Sequence, residues 1–205
     1  MITKILSIHD PQALAAALAV LTGGGVAAFP TDTVYGLGAM AFDENAVGTL
    51  YSVKERAAEK AIPILIGDFN QLGLVTTGVT PMAAKLAERF WPGPLTIVLP
   101  RHPSIPDAVT LLPTVGVRIP DFASTRKLLW LTGPLAVTSA NISGQDSPST
   151  AIGVEAQLGG RIPLILDGGA TPGGAASTVV DCTKSQPVIL RDGPVSLEEI
   201  LQALA

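Results

Sequence analysis

The sequence predicts one α/β domain, residues 1–205, built on a mixed parallel and antiparallel sheet with flanking helices. Three observations carry this. Short apolar runs alternate with helical segments early in the chain, whereas strand-like runs cluster near its end, which favours a mixed sheet over a purely parallel one. The chain is 47% hydrophobic but only 4% aromatic, so its apolar content is mostly Ala, Val, Leu and Ile, a mixture typical of α/β packing. Its 21 glycines and 17 prolines are scattered, which points to many short connections rather than a low-complexity segment.

Each element has a local reason. Asp10-Pro11 reads as an N-cap and first-turn proline for a helix over Leu14–Leu21, which TGGG at Thr22–Gly25 stops. VAAF, Val26–Phe29, is a buried strand, and FPTDTVYGLG is read as the turn after it, with Gly36 and Gly38 as turn residues. Asp43 opens a helix through Ala46, Val47 and Leu50 towards Lys54, and IPILIGD follows as a strand. Thr80-Pro81 begins a helix that ends near WPGP, Trp91–Pro94. LTIVLP and GVRIP are strands, a helix spans Ser124–Leu131, and PLAVTSAN is the next strand. Ser149–Leu158 is helical, and LILDGG, STVVDCT and PVILRDG are strands. In the final helix Ser196 and Glu199 have capping-box spacing.

Composition excludes several function classes. A net charge of -4 gives no global attraction for nucleic acid, so polyanion binding must come from a few placed Lys and Arg residues. Cys182 is alone, so no internal disulfide forms, and a reducing cytoplasm is the expected location. One cysteine with the distant His9 and His102 makes no zinc-type ligand set. The N-terminus lacks the pattern of a signal peptide, and no apolar run reaches the ~20 residues of a membrane span.

Polar clusters recur at strand ends. PTDT follows VAAF, SAN follows LAVT, and Arg118 and Arg191 end VGV and VIL, while Ser177 and Thr178 precede VVD. Ligands of open α/β sheets collect at such ends, although strands must also simply end somewhere. Lys54, Arg56 and Lys60 have two readings: favourable charge at a helix C-terminus, or a phosphate clamp. GGATPGG, Gly168–Gly174, reads as a glycine loop or paired turns; no GK[ST] tripeptide follows it, so it is not a Walker A loop. Ser139 and Ser143 lack a GxSxG setting, which leaves no catalytic triad. The residues alone lead to an α/β protein with an anion-binding crevice.

The clusters, in this order, resemble the YrdC/TsaC family of threonylcarbamoyl-AMP synthases. The matching stretches are FPTDTVYGLG, the K-x-R of Lys54 and Arg56, FWPGPLTIVL, VGVRIPD, PLAVTSANISG, ILDGG with STVVD, and ILRDG. The resemblance implies a twisted sheet bent around a concave cleft. It also implies a reaction in which L-threonine, bicarbonate and ATP yield threonylcarbamoyl-AMP and pyrophosphate. The product would serve a TsaD-type transferase complex that modifies tRNA to t6A, with tRNA itself a further candidate partner. By position, Lys54, Arg56, Lys60, Thr114, Ser139, Ala140, Asn141, Pro148 and Arg191 would bind ATP, and Thr33, Tyr35, Arg118, Thr138 and Ser177 would bind threonine. Mg2+ would ride on the phosphates, with no protein ligand and no side-chain nucleophile expected.

The chain departs from the family pattern at Glu55, Ala57, Ala61 and Ile62 around the K-x-R segment, and at Leu65, where some relatives carry histidine. The loop after Arg56 is therefore expected to sit differently. The length is that of the single-domain form, in which any cover for the site must come from elsewhere. Two alternatives remain at this point: a non-catalytic RNA-binding protein of the same fold, and a carbamoyl-adenylate former of the hydrogenase-maturation kind.

Overall fold

The computed structural model describes residues 1–57, 60–172 and 174–205. Ten strands form one sheet: β1 (Lys4–Ser7), β2 (Ala27–Phe29), β3 (Gly36–Met40), β4 (Ile64–Leu65), β5 (Leu95–Pro100), β6 (Thr114–Arg118), β7 (Leu135–Ser139), β8 (Leu164–Asp167), β9 (Thr178–Asp181) and β10 (Val188–Arg191). Their spatial order is β1-β8-β2-β3-β7-β4-β6-β5-β9-β10. The pairs β1/β8, β2/β8, β4/β6 and β5/β9 run parallel, whereas β2/β3, β3/β7, β4/β7, β5/β6 and β9/β10 run antiparallel. The sheet is mixed, as the sequence predicts.

The helices are α1 (Ala13–Thr22), α2 (Glu44–Lys54), α3 (Pro81–Phe90), α4 (Ala123–Thr132), α5 (Ala151–Leu158) and α6 (Leu197–Leu204), with a 3-10 turn at Phe69–Leu74. Their starts follow the polar residues that cap them. Asp43 accepts from Asn45 and Ala46, Thr80 from Ala83, and Ser196 with Glu199 completes a capping box. The first helix differs from expectation: it begins at Ala13 with no side-chain cap, because Asp10 instead accepts from the Gln12 N–H in the preceding turn. Among the described residues no helix is long and apolar enough to cross a membrane.

The sheet separates two hydrophobic cores, and alternate residues of each strand enter opposite ones. Ala28, Leu37, Ala39, Ile64, Ala136, Ile97 and Val117 face the larger core, with residues of α2, α3, α5 and α6. Ala27, Phe29, Leu65, Leu135, Val137 and Leu164 face the smaller core, with α1 and α4. That second core stops at β4. Beyond it, on the same face, Thr96 and Val98 of β5, Gly116 and Arg118 of β6, and Val179 of β9 line cavities instead of a helix. An uncovered half-face of sheet is the floor of the concave cleft.

Gly36 and Gly38 are strand residues, not turn residues. They sit in β3, paired with Phe29 and Ala27 of β2 and with Ser139 and Val137 of β7. Neither has positive φ. A Cβ on Gly36 would lie 2.8 Å from Val137 Cγ1, and one on Gly38 would lie 2.8 Å from Phe29 Cε1. Glycine is needed there so that side chains of the flanking strands can lie across β3. Strand β1, at a sheet edge, also escaped the sequence reading.

Candidate active site

The cleft contains two adjoining cavities that share Ala61, Pro63, Thr96 and Arg191. The first, of about 170 Å³, is the more polar of the two and brings together Thr33, Arg56, Arg118, Thr138, Ser139, Ser177 and Arg191 from the predicted set. The second, of about 200 Å³, has apolar walls from Val98, Leu112, Val115, Val179 and Leu190, with Thr114 among its polar residues.

Arg118, at the end of β6, is 5% exposed. Its Nε donates to Gly93 O at 2.9 Å, its Nη1 to Thr33 Oγ1 at 3.0 Å, and its Nη2 to Asp32 Oδ1. Those three bonds leave one N–H on each terminal nitrogen without an acceptor among the described residues, a pair that a ligand carboxylate can take. Burial lowers the guanidinium's pKa, and Asp32 opposes that shift. Thr33 Oγ1 is also 2.9 Å from Thr31 Oγ1.

Opposite lies Arg191, at the end of β10. Its Nε and Nη2 donate to Ser177 O at 3.0 and 2.7 Å, and Nη2 reaches Ser177 Oγ at 3.0 Å. Ser177 Oγ is in turn 2.8 Å from Thr96 Oγ1. The Arg191 pKa is lowered by burial first, then by the like charges of Arg118 and Arg56. Three guanidinium groups therefore converge in a protein whose net charge is -4. Arg56 Nη2 is held by Ala61 O at 3.1 Å and Lys60 O at 3.4 Å, while its Nε is buried without a partner among the described residues. A buried, unpaired guanidinium N–H in this setting suits an anion.

Other predicted residues lie behind the cleft wall. Lys54 is 1% exposed; its Nζ donates to Ser139 O and Asn141 O, and its own carbonyl accepts from Ser143 N at 2.8 Å. Burial, and then Arg56, lowers its pKa to about 8. Tyr35 is fully buried, with its hydroxyl donating to Gly169 O at 2.7 Å and accepting from Gly168 N at 3.1 Å. The Tyr35 backbone bonds to Ala140 N and Pro148 O, so one residue ties together the loops after β7 and β8. Asn141 Nδ2 donates to Ile142 O and Gln145 O at 2.8 Å each, and its Oδ1 is buried without a partner. Lys60 is exposed, and its carbonyl serves Arg56 and the Tyr51 hydroxyl. Lys54, Lys60, Tyr35, Ala140, Asn141 and Pro148 thus line neither cavity. Part of the loop after Arg56, residues 58–59, and Gly173 of GGATPGG lie outside the described residues.

Sequence reading missed Asp32, Thr31 and Thr96. Thr96 had a signal, a polar residue among the apolar ones of LTIVLP. Asp32 and Thr31 stood in a motif already singled out, but nothing in that motif shows their partners. No three His, Cys, Asp or Glu side chains converge among the described residues, and Asp32, bonded to Arg118, is committed as a counter-ion.

The Sua5/YciO/YrdC family model, whose description reads "Telomere recombination", matches residues 19–193. The chain is 48% identical over 179 residues to the threonylcarbamoyl-AMP synthase of Pyrococcus abyssi, covering 86% of this chain and 53% of that protein. It is 43% identical over 202 residues to the Bacillus subtilis protein of that name, covering 97% and 58%. The chain thus spans little more than half the length of these two relatives, but it covers 94% of a putative Mycobacterium leprae synthase to which it is 42% identical. Among solved structures, it resembles P. abyssi Sua5 complexed with L-threonine (TM-score 0.92, 43% identity, 99% of this chain and 60% of that one). It also resembles E. coli YciO (TM-score 0.87, 25% identity, 97% and 100%). With fold, cleft and sequence in agreement, the chain belongs to the Sua5/YciO/YrdC family.

Proposed function

We propose that the chain is an L-threonylcarbamoyladenylate synthase, a nucleotidyltransferase that forms threonylcarbamoyl-AMP and pyrophosphate from L-threonine, bicarbonate and ATP. One observation carries the reading: Arg118 keeps two donors for a carboxylate, in the same polar cavity as Arg56 and Arg191. An amino-acid end and a phosphate end thus lie side by side. The names of the relatives, and the L-threonine bound to one of them, support the choice of substrates.

In this reading Arg118 takes the threonine carboxylate, while Thr33, Thr138 and Ser177 surround the rest of the amino acid. The threonine amine adds to CO2 derived from bicarbonate and becomes a carbamate. A carbamate oxygen then bonds to the α-phosphorus of ATP as the bond to pyrophosphate breaks. Arg56 and Arg191 offset phosphate charge and fix the chain for in-line attack, work that needs positioning rather than a nucleophile. Ser139 lines the first cavity, and Thr114 and the apolar walls of the second receive the nucleoside. Lys54, Tyr35, Ala140, Asn141 and Pro148 hold the loops after β7 and β8, and Lys60 is exposed outside both cavities. No three His, Cys, Asp or Glu side chains converge among the described residues, and in this reading Mg2+ enters with the triphosphate as part of the substrate. A TsaD-type transferase complex acting on tRNA in the cytoplasm would consume the product.

The experiment is pyrophosphate release by purified protein. Release should require ATP, threonine and bicarbonate together; release indifferent to threonine would sink the proposal. Tight, steeply salt-dependent RNA binding by a protein inert towards ATP would favour the RNA-binding alternative instead.

A further inference from the structure

Asp32 has no role in the reaction described above, yet it is the acid bonded to Arg118. Its side chain is 11% exposed, and its Oδ2 is buried with no hydrogen-bond partner among the described residues. A carboxylate oxygen left in that state is unfavourable, because it loses water without gaining a donor. Orientation alone does not account for it. Gly93 O and Thr33 Oγ1 already hold two of the three guanidinium nitrogens from different directions.

What the carboxylate adds is charge. Arg56, Arg118 and Arg191 reach one cavity, and a phosphate chain is attracted to any guanidinium it can meet. Nothing in the three side chains themselves assigns one to an amino acid and two to phosphates. The difference lies behind them. Arg56 is bonded to neutral carbonyls and Arg191 to a serine, so both keep their net positive charge. Only Arg118 among the three has an ion-pair partner among the described residues. A paired guanidinium offers hydrogen-bond donors with little net field, which suits a zwitterion and not a polyanion.

We propose that Asp32 is a specificity-determining residue, which cancels the charge of Arg118 so that this end of the cleft takes an α-amino carboxylate and refuses the phosphate chain. Specificity here is achieved by weakening the wrong ligand as much as by fitting the right one. The substrates named rest on the synthase reading, but the refusal of phosphate does not.

Calorimetry on the intact chain with inorganic pyrophosphate alone, and separately with L-threonine, tests this. Asp32→Asn keeps an oxygen for Arg118 and removes the charge. It should bind pyrophosphate on the order of tenfold more tightly than wild type, while the affinity for zwitterionic threonine changes far less. The gain should vanish in the Asp32→Asn/Arg118→Gln double variant and be absent in Asp32→Glu. If Asp32→Asn does not fold, Asp32→Ser is read the same way. Unchanged pyrophosphate affinity, or a gain that survives loss of Arg118, overturns the proposal. A wild type that binds no threonine, while the pyrophosphate results come out as expected, would defeat the synthase reading and leave the charge role of Asp32 standing.

Discussion

The two cationic sides of the cleft are built differently. Arg118 and Arg191 stand at the ends of β6 and β10, where backbone carbonyls and hydroxyls of other elements hold their planes. Lys54 and Arg56 stand at and just beyond the end of α2: Lys54 donates to carbonyls 139 and 141, whereas Arg56 is held through Nη2 alone, by carbonyls 60 and 61 of its own loop. Strand ends thus present charge that is already aimed into the cleft. In the K-x-R segment the Lys54 charge is bound up in the protein, and Arg56 is fixed through one nitrogen only, by its own loop. Preorganised groups contribute more per contact, because their ordering cost is met on folding.

If that contrast is right, Arg118→Ala has the largest effect. It removes the two donors proposed for the threonine carboxylate and leaves the Asp32 carboxylate buried without its partner, a loss of roughly 3–5 kcal/mol in comparable pairs. The kcat/KM for threonine should fall by at least about 100-fold, with the ATP dependence changed by less than about threefold. Equal, mild effects on both substrates would erase the distinction between the two sides.

Lys54 tests the other side through pH. Its folded pKa is about 8 against an ordinary 10.5, so between those values the unfolded chain binds the extra proton. Stability therefore rises with pH in that window as the buried charge is neutralised, and the gain is lost as pH falls back through about 8. Denaturant unfolding of wild type minus Lys54→Met should show this gain, on the order of 3 kcal/mol across the window. A flat difference would place the ammonium in water, free to meet phosphate directly.

What was legible in the sequence follows the same division. Helix starts at Asp43, Thr80 and Ser196 were readable because a cap and the N–H groups it satisfies lie within three residues. Arg118, Arg191, Ser177 and Thr33 were readable as polar residues bordering apolar strands, where their place in the chain fixes their place in space. The buried staple of Lys54 was not, since its acceptors lie 85 and 87 residues away. Asp32 was hidden for that reason too, with a partner 86 residues on. β3 was hidden because glycines that admit Phe29 and Val137 look, in one dimension, like glycines that turn a chain.

Smaller effects refine the comparison. Arg56→Ala should raise the KM for ATP about tenfold and leave that for threonine within about twofold. The effect is smaller than that of Arg118→Ala because Arg56 is fixed through Nη2 alone, by carbonyls of its own loop, and so less of its ordering is met on folding. An effect as large as that of Arg118→Ala would mean that the segment is as preset as the strand ends.

Tyr35→Phe sets the lower limit. The family pattern places Tyr35 beside the amino acid, whereas its hydroxyl is bound to Gly168 and Gly169, and the residue has no exposed surface. Losing that hydroxyl removes a donor from Gly169 O and an acceptor from Gly168 N, which costs about 1–2 kcal/mol of stability. A lower Tm with an unchanged KM for threonine is therefore expected. The reverse result, a raised KM at unchanged Tm, would move Tyr35 from the support of the loops into the pocket itself. The wall that follows β2 would then bind through Tyr35 as well as through Thr33.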